Sequence, residues 1–167
     1  MRRLAGLGIV LEPQTARDAA ELFPVLDDPE LYVFTDDKGP ASEDALAQRL
    51  ARLESRQSPD GSQQWLNWVV RTLDGDVVGY VQATVHASLE AEIAYVLGRS
   101  FWRRGYATAA CTLMLAELRE AYGVRTAVAT LDPQNSGSLA LLRKLGFQWQ
   151  CDNSEDRETT YSLRLVP

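Results

Sequence analysis

The apolar positions change their spacing repeatedly along the chain, and each change marks an element boundary. Gly6 to Leu11 (GLGIVL) is a short apolar run stopped by Glu12 and Pro13, the pattern of a first β-strand. TARDAAELFPVLDD opens on Thr15 with Asp18 three residues on, a near capping box, and sets Ala19, Leu22 and Phe23 at helical spacing. SEDALAQRLARLES starts at Ser42, a natural N-cap, and carries Leu46, Leu50 and Leu53 on one stripe, predicting a second helix to about Arg56.

The period then falls to two. WLNWVVRTLDGDVVGYVQATV reads as two strands joined at Asp74-Gly75, a strong hairpin signal. In EIAYVL, Ile93, Tyr95 and Leu97 point one way and Glu92, Ala94 and Val96 the other. From Gly105, Ala107, Ala110, Cys111, Met114, Leu115 and Leu118 form a broad apolar helical face to about Tyr122, with Gly123 as its stop. VRTAVATL is a β-branched strand. Asn135 then caps a short helix bearing Leu139, Leu142 and Leu145 and closed by Gly146, before FQWQC and ETTYSLRL alternate as two final strands. The order predicts an α/β (α+β) chain whose mixed, mostly antiparallel sheet carries helices on both faces. No linker interrupts it, so residues 1–167 are expected to form one domain.

Composition narrows the function classes. A chain of 167 residues buries roughly 70% of its unfolded surface without help from metals or disulfides. Cys111 and Cys151 form neither a CxxC pair nor a secreted framework, which suits reduced thiols in a cytoplasmic protein and leaves no structural metal site. A net charge of −6 argues against a nucleic-acid surface and favours basic partners such as amines. No apolar stretch approaches the roughly 20 residues of a membrane helix.

Against that acidic background, FWRRGYATAA stands out. Arg103, Arg104, Gly105, Tyr106, Ala107 and Thr108 lie between the end of a strand and the first turn of a helix, where free amides and the helix dipole favour an anion. Gly105 lets the backbone approach a ligand closely, and the arginines add donors suited to phosphate. Neither a Walker A loop nor a dinucleotide fingerprint is present. Taken alone, an Arg-Arg-Gly at a helix start also reads as a solvated charge run.

Four segments in order then resemble the GCN5-related N-acetyltransferase (GNAT) superfamily, in the branch of the ribosomal-protein N-terminal acetyltransferases (RimJ/RimL-like): WVVRTLDGDVVGYVQA, AEIAYVLGRSFW, WRRGYATAA and NSGSLALLRKLGF. The resemblance implies a twisted sheet with a V-shaped splay between its central strands. It implies acetyl-CoA as co-substrate, its pyrophosphate on Arg103 to Thr108, its pantetheine arm along the backbone of Val96 and Leu97, and Asn135 on the arm's other side. Trp102 stands where the family loop often has Gln or Arg. Ala110 replaces a frequent acidic residue, and Leu142 stands near where many members place a tyrosine acid, so Ser138 takes that role as the branch suggests.

Acyl transfer to an amine needs a neutral nucleophile, an oxyanion donor and a stabilised leaving thiolate. An α-amino group with pKa near 8 is roughly 10% neutral at pH 7, a lysine only about 0.04%, so a lysine acceptor demands far more from a base. Glu92 is the candidate base, acting through a water in an apolar setting, and Ser138 the candidate donor to sulfur. A backbone N–H near Val96 or Leu97 is the candidate oxyanion donor. His86, the only histidine, sits at a strand end before a turn and reads as a surface residue.

The reading that follows is an acetyl-CoA-dependent N-acetyltransferase acting in a ternary complex on a primary amine, favouring a peptide or protein α-amine, with a possible homodimer left open by the sequence. A polyamine or aminoglycoside-type acceptor, a catalytically silent acyl-CoA-binding module and a nucleotide-binding regulator are the alternatives. Acceptor choice is assigned to LYVFTDDKGP, including Asp36 and Asp37, and to the last hairpin.

Overall fold

The computed structural model describes residues 1–165. Its strands are β1 (Leu4–Gly6), β2 (Ile9–Pro13), β3 (Gln63–Thr72), β4 (Val77–His86), β5 (Glu90–Leu97), β6 (Thr126–Leu131), β7 (Gln148–Asn153) and β8 (Glu158–Arg164). The α-helices are α1 (Ala19–Leu26), α2 (Glu43–Leu53), α3 (Tyr106–Tyr122) and α4 (Ser136–Lys144). All eight strands join one sheet in the order β1-β2-β3-β4-β5-β6-β8-β7, with β5–β6 the parallel pair.

Three expectations change in detail. The strand expected at Gly6 to Leu11 is a hairpin, because Leu7 and Gly8 both take positive φ (53° and 80°), as a tight two-residue turn requires, and Gly6 pairs with Ile9. The first helix enters through a 3₁₀ turn at Ala16–Asp18, where the Thr15 N–H donates to Asp18 Oδ2 at 2.7 Å. α2 ends at Leu53 rather than Arg56, since the chain turns away where Arg56 adopts φ 58°. Its expected cap holds, with Ser42 Oγ accepting the Ala45 N–H at 3.1 Å.

The helices cover opposite faces. α3 lays Ala110, Cys111, Met114 and Leu118 over Trp68, Val81 and Ile93, all buried. Burial there pushes the Cys111 thiol up to about 12, so this cysteine is an inert packing group. α1 and α2 place Leu22, Leu26, Leu46 and Leu50 over Val69 and Val77 on the other face. Arg71 fastens α1 to the sheet, reaching Glu12 at 3.0 Å, Asp18 at 3.1 Å and Glu21 at 2.8 Å.

The sheet opens at its centre. β5 and β6 pair only over Glu90–Glu92 against Thr126–Val128, while β5 continues along β4 to Leu97 and β6 continues along β8 to Leu131. Beyond Glu92 the two strands therefore diverge. On the closed side, Gly79 allows the tight approach of β4: it has φ 147°, and a Cβ there would clash with the Val96 carbonyl oxygen.

Candidate active site

The opening between β5 and β6 exposes backbone groups by simple alternation. The Gly98 N–H bonds the Val78 carbonyl on β4 at 2.9 Å, so the groups of Val96, two residues earlier, also face β4, and those of Tyr95 and Leu97 face the opening. Of the two amides named as oxyanion donors, the one from Leu97 points into the opening. Its carbonyl is already taken by the Trp102 indole N–H at 2.6 Å, which anchors the following loop to the strand end.

That loop leads to the N-terminus of α3. A 3₁₀ turn (Arg99–Phe101) precedes Arg103 and Gly105, both with positive φ (59° and 87°), and Gly105 is the N-cap without any side-chain cap. The first helical bond runs from the Ala109 N–H to the Gly105 carbonyl, so the amides of Tyr106, Ala107 and Thr108 have no partner in the helix. Apart from its chain neighbours, no heavy atom lies within 4 Å of where a Gly105 Cβ would be. Arg104 stacks on Tyr106 (5.2 Å) and Phe101 (6.0 Å), which fixes its guanidinium beside these amides, while Arg103 is exposed and makes no ion pair among the described residues. Open amides, a dipole and two cations at one helix start fit a pyrophosphate.

α4 supplies the opposite wall. Asn135 Oδ1 accepts the Ser138 N–H at 3.0 Å and so caps the helix, leaving its amide NH₂ available. Ser138 meets the Tyr95 phenol from β5. Burial pushes that phenol up to about 12, with neighbouring Ser138 pulling the other way, so it keeps its proton at neutral pH. Leu142 is fully buried, and the tyrosine beside Ser138 is Tyr95, on the strand rather than on α4. Side-chain alternation already placed Tyr95 opposite Glu92, but only the fold brings it to Ser138.

Glu92 and His86 form a pair that the sequence reading separated. Glu92 Oε1 lies 3.0 Å from His86 Nε2, on the α1/α2 face of the sheet. The apolar setting expected around Glu92 is not found: its side chain is 65% exposed. His86 is missed from sequence because its partner is six residues away across a strand turn. Trp68 is fully buried in the α3 core, whereas Trp65 lines the other face, as their opposite parity requires.

The α1/α2 face also carries a row of carboxamides. The Gln14 N–H bonds the Asn67 carbonyl at 2.9 Å, Asn67 pairs with Gln82, and Gln82 pairs with Ala94, so Gln14, Asn67 and Gln82 lie side by side across three strand segments. Among the described residues no helix is long and apolar enough to cross a membrane.

Comparison with known proteins agrees with this geometry. No curated protein matches the chain in sequence. Among solved structures, a probable GNAT-family acetyltransferase from Chromobacterium violaceum is 26% identical, with a TM-score of 0.79 over 98% of this chain and 91% of that one. The ribosomal-protein-S5-alanine acetyltransferase of Vibrio fischeri superposes with a TM-score of 0.82 at 15% identity, covering 97% of this chain and 96% of that one. Mycobacterium smegmatis RimJ, solved in complex with CoA-disulfide, gives 0.82 at 22% identity over 93% of this chain and 81% of that one. These likenesses carry the fold. A family model for the acetyltransferase (GNAT) domain matches residues 9–148, from the second strand through α4, and the chain therefore belongs to the GCN5-related N-acetyltransferases.

Proposed function

We propose that the chain transfers an acetyl group from acetyl-CoA to a primary amine, with a peptide or protein α-amine as acceptor, in the cytoplasm. The observation that carries this reading is the uncapped N-terminus of α3 beside the divergence of β5 and β6. Amides of Gly105 to Thr108 hold the pyrophosphate with Arg103 and Arg104, and Asn135 and the backbone of β5 hold the arm. Acetyl-CoA supplies an activated acyl thioester.

The remaining work falls to this chain's own residues. Glu92 takes a proton from the attacking amine through a water, and His86, 3.0 Å away, holds the carboxylate in place. The Leu97 N–H faces the opening, where negative charge gathers on oxygen. Ser138, backed by the Tyr95 phenol, donates to the departing sulfur. An α-amine, with a tenth of its population already neutral, suits a base as solvent-exposed as Glu92. The structural likeness to a ribosomal-protein acetyltransferase supports the same acceptor class.

Calorimetry with acetyl-CoA followed by a mass-detected amine screen tests the reading. Micromolar to millimolar binding and acetylation of amino-terminal peptides are expected, and no acetyl-CoA binding at millimolar concentration overturns it. Glu92→Gln should lower kcat about 100-fold with coenzyme affinity unchanged. The high exposure of Glu92 favours one competing reading, an acyl-CoA-binding module: there the parent chain binds coenzyme and turns over no amine.

A further inference from the structure

His86 ends β4 where the chain turns into β5, and its Nε2 lies 3.0 Å from Glu92 Oε1. Among the described residues Glu92 has no other ion-pair partner, and Nδ1 of His86 makes no hydrogen bond. The groups around the ring are few. Gln63 stands opposite it on β3, with its carboxamide oxygen taken by the Trp65 indole N–H at 3.2 Å. Thr84 is its neighbour on the same face of β4 and pairs with Glu92, and Glu90 is the next residue on that face of β5. Neither carboxylate forms an ion pair with an arginine or lysine among the described residues.

We propose that His86 carries away the proton that Glu92 collects from the attacking amine, so that the two side chains form a relay from acceptor to solvent. The proposal rests on the acetyl-transfer reading above and adds where the proton goes. When the amine nitrogen bonds to the acyl carbon, it holds one proton too many. Through a water that proton reaches the Glu92 carboxylate, crosses the 3.0 Å contact to the lone pair of His86 Nε2, and is released to solvent from Nδ1. The C–S bond then breaks. The sulfur departs beside the Ser138 hydroxyl and takes a proton from solvent, so the sum is one proton moved from nitrogen to sulfur.

Magnitudes favour the relay over a carboxylate acting alone. At pH 7 a carboxyl group of ordinary strength holds a proton in about one molecule in 500, whereas an imidazole does so in about one in four. Passing the proton on therefore raises its occupancy on the protein about 100-fold, which keeps it from returning to the nitrogen. The His86 side chain is 28% exposed, the more sheltered of the two, yet open enough for water to take the proton. A plain ion pair at a solvated strand end, by contrast, adds little to stability and nothing to rate.

His86→Gln and His86→Ala test the relay in the full chain, with acetyl-CoA and a dipeptide amide as acceptor. Glutamine keeps a neutral hydrogen bond to Glu92 but takes up no proton. At pH 7, kcat should fall about 30-fold in His86→Gln, with acetyl-CoA affinity, acceptor KM and thermal unfolding unchanged. The relay needs a neutral imidazole, so the parent's kcat should rise with pH between about 5 and 8, and that limb should vanish in the variant. Imidazole added to His86→Ala should raise kcat about 10-fold. In a Glu92→Gln background, His86→Gln should cost nothing further, because the relay is already broken at its first step. A parent-like pH profile in His86→Gln, no response to added imidazole, or a full loss in the Glu92→Gln background overturns the proposal and leaves acetyl transfer standing. A parent chain that binds acetyl-CoA and acetylates no amine overturns both.

Discussion

Two helices begin at the walls of the opening between β5 and β6, and their first turns are finished in opposite ways. α4 is capped by its own chain, with Asn135 Oδ1 on the Ser138 N–H. α3, nearly twice as long, starts at a left-handed Gly105 with no side-chain cap and with an empty space where a Cβ would stand. A side-chain cap stabilises a helix by about 1 kcal/mol, and the longer helix forgoes it. The bare amides are the ones needed for an anion. α4 closes its first turn with a side chain, while α3 leaves its first-turn amides open.

The sharpest way to break this contrast is Gly105→Val. A β-branched residue at φ 87° is strained by about 2 kcal/mol and puts carbon into the anion site. Calorimetry should find acetyl-CoA binding gone while cooperative thermal unfolding persists. The next largest effect is at the hydroxyl pair: Ser138→Ala and Tyr95→Phe should each lower kcat by ~10- to 100-fold with little change in coenzyme affinity. The double variant should be little worse than either single one if the two act as a unit, and additive losses in steady-state kinetics would dissolve the pair.

Arg103→Ala is expected to weaken acetyl-CoA binding about 10-fold, less than Gly105→Val, with the difference from the parent shrinking as salt is raised. Equal effects of the two changes would mean that side-chain charge, not backbone geometry, makes the site. The smallest effect belongs to α4. Asn135→Ala should lower unfolding free energy by about 1 kcal/mol in a denaturant titration. Asn135→Asp should restore most of that stability, because a carboxylate caps equally well, yet it lacks the NH₂ donor and so should still bind coenzyme less tightly than the parent.

Much of the fold is legible as period and punctuation. The amphipathic stripes of α2, α3 and α4 and the caps Ser42 and Asn135 are local patterns, and the structure carries them nearly where the residues imply. The misread strand at Gly6 to Leu11 shows the limit of apolar runs, since Leu7 is 63% exposed at the tip of a hairpin and only its positive φ reveals the turn. Arg103 to Thr108 could be placed at the start of α3 from sequence because they are contiguous in the chain. Tyr95 with Ser138, His86 with Glu92, and Gln14 with Asn67 and Gln82 could not, because each pairing depends on which strands become neighbours.

By itself, then, the sequence determined the elements, the faces of β5 and the uncapped start of α3, because these follow from side-chain period and backbone chemistry within a few residues. Only the tertiary structure decided where β5 and β6 part, that Leu97 rather than Val96 turns its amide into the gap, and that the carboxamides of three distant segments form one row. Those features arise from inter-strand register, which links residues up to 68 positions apart in the case of Gln14 and Gln82.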